Sequence, residues 1–182
     1  MASPVQIKSA CKAVAHKTAR SLVTWPTGRE WLRCSALFFI YSAVALFLGL
    51  VSGILRWEMH AEAIGKLARF TAIAFFVPCL SEELLFRAVF LPDPRQSWPP
   101  VYRFLRATVA LTLFVLWHPV NGLFLKTAAQ QLFVDPRFLL LAALLGCCST
   151  MIYLRTRSIW PSTLVHWISL VCWKTFLGGQ IF

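Results

Sequence analysis

Acidic side chains are scarce in this chain. Seven Asp and Glu stand against 18 Lys and Arg in 182 residues, and charged residues make up only 14% of the total. A soluble domain carries about a quarter of its residues as charges, so the composition excludes an ordinary water-soluble globule. Cys-x-x-Cys pairs are missing as well. The six cysteines are Cys11, Cys34, Cys79, Cys147, Cys148 and Cys172, and most fall within apolar runs. That placement excludes the disulfide framework of a secreted, loop-rich domain. Adjacent cysteines such as Cys147 and Cys148 rarely bridge, so all six read as small packing residues. There is no internal repeat and no low-complexity linker. A His-Glu-x-x-His zinc signature is also lacking.

What the chain has is apolar length: 58% of its residues are hydrophobic, with eight Trp. Five runs stand out, Cys34–Leu55, Phe70–Leu91, Ala107–Leu125, Phe138–Leu154 and Pro161–Leu177. A membrane helix needs about 20 predominantly apolar residues. The expected fold is therefore all-α, a polytopic helical transmembrane bundle of about five spans. Pro92-Asp93-Pro94 ends the second run, because proline removes a donor and disfavours helix before it. In the third run, Trp117-His118-Pro119 and Asn121-Gly122 predict a break or kink. Gly146, Cys147, Cys148 and Ser149 are small enough to let the fourth helix approach its neighbours closely.

The net charge of +11 sits in the N-terminal segment and between the runs. No basic, aromatic-interleaved soluble module is present to bind nucleic acid, so none is expected as a partner. The positives instead set topology. With five spans, eleven Lys and Arg fall on the side of the N-terminus and six on the other, which predicts an N-terminus inside and a C-terminus outside. Residues 1–33 form a basic arm, cytoplasmic or interfacial, with Trp25 and Trp31 at headgroup level. They lack the short apolar core and small-residue site of a secretory leader. A basic, acid-poor organellar transit segment is the alternative. Residues 34–182 form the membrane domain, and the expected location is the plasma membrane.

Two of the seven acids lie side by side inside an apolar run, in Ser81-Glu82-Glu83-Leu84-Leu85-Phe86-Arg87. A charge at the centre of a membrane helix costs roughly 2.5–3.5 kcal/mol even on the lenient scale, and such groups mark pathways or catalysis. Glu83 and Arg87 are four apart and share a helix face, so they can pair. Glu82 points about 100° away and is the carboxylate left for other work. Of the four histidines, His16 and His60 lie outside the runs and read as solvated. His118 and His166 lie within runs and can trade protons near neutral pH.

These residues fall into a pattern that resembles the CPBP family of intramembrane proteases (CAAX protease and bacteriocin-processing, or Abi). Glu82-Glu83-x-x-x-Arg87, Phe114-x-x-x-His118 and the approach Ile159-Trp160-Pro161-Ser162-Thr163-Leu164-Val165-His166 come in family order on successive apolar segments. The resemblance covers roughly residues 70–175. It implies an intramembrane endopeptidase acting on a peptide or protein substrate, with prenylated C-terminal peptides the substrate of one branch. It also implies that Glu82 is the general base on a water, that His118 positions that water and that His166 stabilises the oxyanion. Glu83 and Arg87 would then hold the helix. One departure stands out: the family's Asn four residues after the last histidine is Leu170 here. Ser169, Ser162 and Asn121 are the polar residues expected to support the site. The resemblance favours metal-free glutamate chemistry with no cofactor, although a Glu and two His could also form a zinc site. The non-enzymatic alternatives are a membrane scaffold or immunity factor of the same family, and an ion pathway. Five spans without visible inverted repeats argue against a transporter.

Overall fold

A computed structural model describes residues 3–58, 64–124 and 127–179. The described residues are helical, with no strand beyond an isolated parallel bridge between Glu58 and Leu177. Helix α1 spans Pro4–Val23 and α2 spans Gly28–Val51. Helix α3, Ile64–Ala74, leads through a π-helical turn at Phe75–Leu80 into the short α4, Ser81–Glu83, and a second π-helical turn at Leu84–Val89. Helices α5 (Pro100–Gly122), α6 (Thr127–Val134), α7 (Pro136–Thr156) and α8 (Trp160–Phe176) follow.

The chain crosses the bundle five times. Ile159 N–H donates to Ser21 O at 3.2 Å and the Trp160 indole to Leu22 O at 2.8 Å, which puts the start of α8 beside the end of α1. At the opposite face, Glu58 N–H donates to Phe176 O at 3.2 Å and Arg137 Nη1 to Ser52 O at 2.9 Å. Helices α2 and α8 thus run in one direction and α7 in the other. Three helices, α2, α5 and α7, are long and apolar enough to cross a membrane. Helix α8, at 17 residues, and the interrupted span α3–Val89 complete the five crossings.

Each terminus has a local cause. Thr27 and Glu30 form a capping box at α2, with Thr27 N–H donating to Glu30 at 2.7 Å. Asp135 caps α7, Pro136 takes the first helical position, and Arg137 pairs with Asp135 at 2.6 Å. The hydrogen bonds from Arg137 hold the Asp135 carboxyl down at about 2. Helix α1 turns Lys17 inward, where its ammonium donates to Val89 O and Leu91 O and so ties the arm to the end of the second crossing.

Two expectations about helix continuity need correction. The second run does not form one straight helix: Val77 sits at φ −134°, ψ 113°, just before Pro78. Proline disfavours a helical residue before it and cannot donate to the ladder, so the crossing breaks there, and π-helical turns flank Ser81–Glu83. Of the break or kink expected at Pro119, the break is not found, because α5 continues to Gly122. Pro119 lies in the last turn of α5, and the His118 ring before it hydrogen-bonds back to Phe114 O at 3.0 Å.

Helix α7 is the central post, packed on α2, α5 and α8. Its Gly146 makes this possible. A Cβ there would stand 2.6 Å from Leu111 Cδ1 and 3.0 Å from Phe114 Cδ1. Replacing it with a large residue should force α5 and α7 apart. Gly146→Leu is expected to lower stability by about 1–3 kcal/mol, the usual cost of overpacking, read as a lower thermal midpoint in detergent.

Candidate active site between the second crossing, α5 and α8

The short helix α4 and the turn after it carry the carboxylates and Arg87 into the centre of the bundle. Glu83 and Arg87 are both fully buried, and Arg87 Nε lies 3.3 Å from Glu83 Oε2. The other oxygen of Glu83, Oε1, stands 3.2 Å from His166 Nδ1 on α8. Ser162, whose hydroxyl donates to Ile159 O at 2.9 Å, also lies beside the Glu83 carboxylate. The Arg87 guanidinium lies over the Phe114 ring, 4.7 Å from its centroid, a cation–π contact in a desolvated setting. Glu83 is thus engaged from two directions and joins the second crossing to α8.

Glu82 takes a different position. It is 8% exposed, and its Oε2 has no hydrogen-bond partner among the described residues. The Trp117 indole and the His166 ring are its polar neighbours across the site. No ion pair joins it to Arg87 among the described residues. The carboxylate that accepts directly from a histidine is Glu83.

His118, half-buried, directs Nδ1 to Phe114 O at 3.0 Å. A carbonyl accepts, so Nδ1 carries the proton and Nε2 keeps the lone pair. Phe114 is the ring between the two histidines. Its centroid is 5.1 Å from that of His118 and 6.0 Å from that of His166, both edge to face. Phe133 and Phe138 hold the His118 ring from the far side.

Both histidines open onto a cavity of about 550 Å³ between α2, α7 and α8. The resemblance implied that Glu82, His118 and His166 act together on one water. The cavity wall is mainly apolar, with residues such as Phe38, Leu145, Leu170 and Trp173, and Glu82 stands outside the wall. Most of α2's contribution is Phe, Ala and Leu, as a helix facing lipid and protein requires. Ser169 does line the cavity, with its hydroxyl donating to Val165 O at 2.7 Å. Ser162 belongs to the Glu83 cluster. Asn121 lies one turn beyond His118, and no hydrogen bond joins its side chain to the site among the described residues. His16 is exposed on the arm, and His60 lies outside the described residues. Among the described residues no three His, Cys, Asp or Glu side chains converge as a metal-ligand set.

The aromatic side chains carry no charge to mark them, and their part in the site comes from the fold. Phe114 and Trp117 precede His118 by four residues and by one. The four-residue spacing placed Phe114 on the face of His118, but only the fold puts Arg87 on its ring. Phe114→Ala would leave Arg87 without its aromatic platform and both histidines without their common wall. It should cost about 3–5 kcal/mol, the range for truncating a buried aromatic, seen as loss of monodisperse protein or a lower thermal midpoint.

A comparison with family models supplies an independent result. Residues 64–171 match the model described as type II CAAX prenyl endopeptidase Rce1-like. No curated protein and no solved structure matches the chain significantly. The matched segment starts at the first residue of α3 and ends within α8, and so contains Glu82, Glu83, Arg87, His118 and His166. With more than half of its length matched, the chain belongs to the Rce1-like family of type II CAAX prenyl endopeptidases.

Proposed function

We propose that the protein is an intramembrane endopeptidase that uses Glu82 to activate water and cuts near the C-terminus of lipid-modified proteins. The observation that carries this reading is the division between the two carboxylates. Arg87 and His166 both form ion pairs with Glu83, while Glu82 forms none among the described residues. A buried carboxylate is costly to hold unpaired, and general-base duty is the use for it that the family supports.

In this mechanism Glu82 takes a proton from water as the water attacks the peptide carbonyl. His118, with Nδ1–H fixed on Phe114 O, turns Nε2 toward that water and orients it. His166 donates from Nε2 to the developing oxyanion, and the Glu83 carboxylate behind Nδ1 balances the charge. When the intermediate collapses, Glu82 returns the proton to the leaving amine. The apolar cavity in front of the histidines suits a substrate carrying a long hydrocarbon chain. The face shared by the arm, residues 92–99 and residues 157–159 is assigned to the cytoplasm, from its excess of Lys and Arg.

The test is cleavage of a farnesylated C-terminal peptide by protein purified in detergent. Wild type should cut it. Glu82→Gln keeps size and removes the base, and should abolish cutting while the protein stays folded. Glu83→Gln should leave Arg87 buried and unpaired at a cost of about 3–5 kcal/mol, and should show mainly as a loss of folded yield. If both variants cut as well as wild type, glutamate catalysis is wrong. If wild type itself cuts nothing, the non-catalytic scaffold reading takes its place.

A further inference from the structure

From the cavity that both histidines share, we infer that Tyr41 is a further catalytic residue, supplying a hydroxyl to the oxyanion together with Ser169. The inference rests on the endopeptidase reading above. It concerns α2, which lies wholly outside the family-matched segment 64–171.

The cavity offers few hydrogen-bond donors. Besides the two histidines, the side-chain donors in its wall are the hydroxyls of Tyr41, Ser42 and Ser169 and the indoles of Trp57 and Trp173, and of these Tyr41 is the one packed beside Ser169. His166 has its Nδ1 committed to Glu83, so it presents Nε2 alone to a substrate carbonyl. A single donor is a poor oxyanion site, since a tetrahedral oxygen carries lone pairs in several directions and water is scarce in an apolar pocket. Leu170, one turn after His166, lines the cavity and has nothing to donate.

Tyr41 reaches the same place from across the bundle. Its hydroxyl lies beside that of Ser169 on the cavity wall, three residues after His166 and on the same side of α8. The Ser169 proton goes to Val165 O at 2.7 Å, so of the two hydroxyls it is Tyr41 whose proton is left to donate. That proton is the one that can be redirected when a stronger acceptor arrives. Packing holds the ring in place, against a buried cluster of Cys34, Leu145, Cys148, Ile152 and Val165, with Phe38 beside it. Side chains on a helix lean toward its N-terminus, and α2 and α8 run the same way. The Tyr41 hydroxyl therefore leans back toward the level of His166. A wedged aromatic carrying one polar tip provides a pre-oriented donor with little reorganisation on reaction.

The experiment uses the full chain in detergent micelles with an internally quenched farnesyl-cysteine peptide, and Glu82→Gln as the inactive control. Tyr41→Phe keeps the ring in its packing and removes only the donor. It should lower kcat by about 10²-fold, the scale of one oxyanion donor, with KM within about twofold of wild type and the thermal midpoint unchanged. Ser169→Ala should lower kcat less, and the double variant should be no slower than Tyr41→Phe, because the two hydroxyls act as one unit. Should Tyr41→Phe prove unstable, Ser169→Ala with its KM-against-kcat split decides alone. Tyr41→Phe or, in that event, Ser169→Ala with wild-type kcat overturns the assignment while leaving the protease reading intact. A change confined to KM gives Tyr41 a binding role and also overturns it. Wild type without cleavage overturns both.

Discussion

The buried carboxylate of Glu83 is the interaction on which the rest of the structure depends. It holds Arg87 on one side at 3.3 Å and His166 on the other at 3.2 Å. Charges so deep are expensive, and removing one partner of a buried pair costs far more than keeping both. That requirement fixes the second crossing against α8. It also fixes Arg87 over Phe114, and through Phe114 it fixes α5 with His118. A shift of any one of these elements would leave a charge unpaired in an apolar interior. The Trp167 indole adds a second link, donating to Thr71 O at 2.8 Å and so pinning α8 to α3 above the break.

Polar groups are segregated from the apolar cavity in a way that suits hydrolysis inside a membrane. Charge sits behind the histidines, around Glu83 and Arg87, and hydrocarbon sits in front. A low-dielectric chamber strengthens every hydrogen bond aimed into it, so the few donors there carry more weight than they would in water. The same dryness makes each donor's placement a matter of packing, which explains the ring of aromatics around His118. The broken second crossing serves this arrangement. Irregular backbone is tolerated at membrane depth only where protein or water surrounds it, and π-helical turns recur at functional sites. Here they flank the two carboxylates.

Much of this was legible in the sequence. Five apolar runs gave the five crossings, because the thickness of a bilayer sets the length of apolar chain needed to cross it. The four-residue spacing of Glu83 and Arg87 anticipated their ion pair, because helix geometry alone decides which neighbours on one helix can meet. The break at Val77–Pro78 carried a signal in Pro78 itself, masked by the length of the surrounding apolar run. The expected break at Pro119 had the same signal and did not occur, since the proline stands in the last turn of α5, where little of the ladder remains to be interrupted.

The sequence by itself determined the class, the crossings, the ion pair within one turn and the residue types available for chemistry. These follow from local periodicity, spacing and the cost of charge in hydrocarbon. Only the tertiary structure decided which carboxylate meets His166, that Phe114 lies between both histidines and Arg87, that the cavity is apolar, and that Tyr41 of α2 stands beside Ser169 of α8. Each of these joins residues on different helices. Such contacts depend on how the helices rotate and pack against one another, and no spacing along a single chain encodes that choice directly.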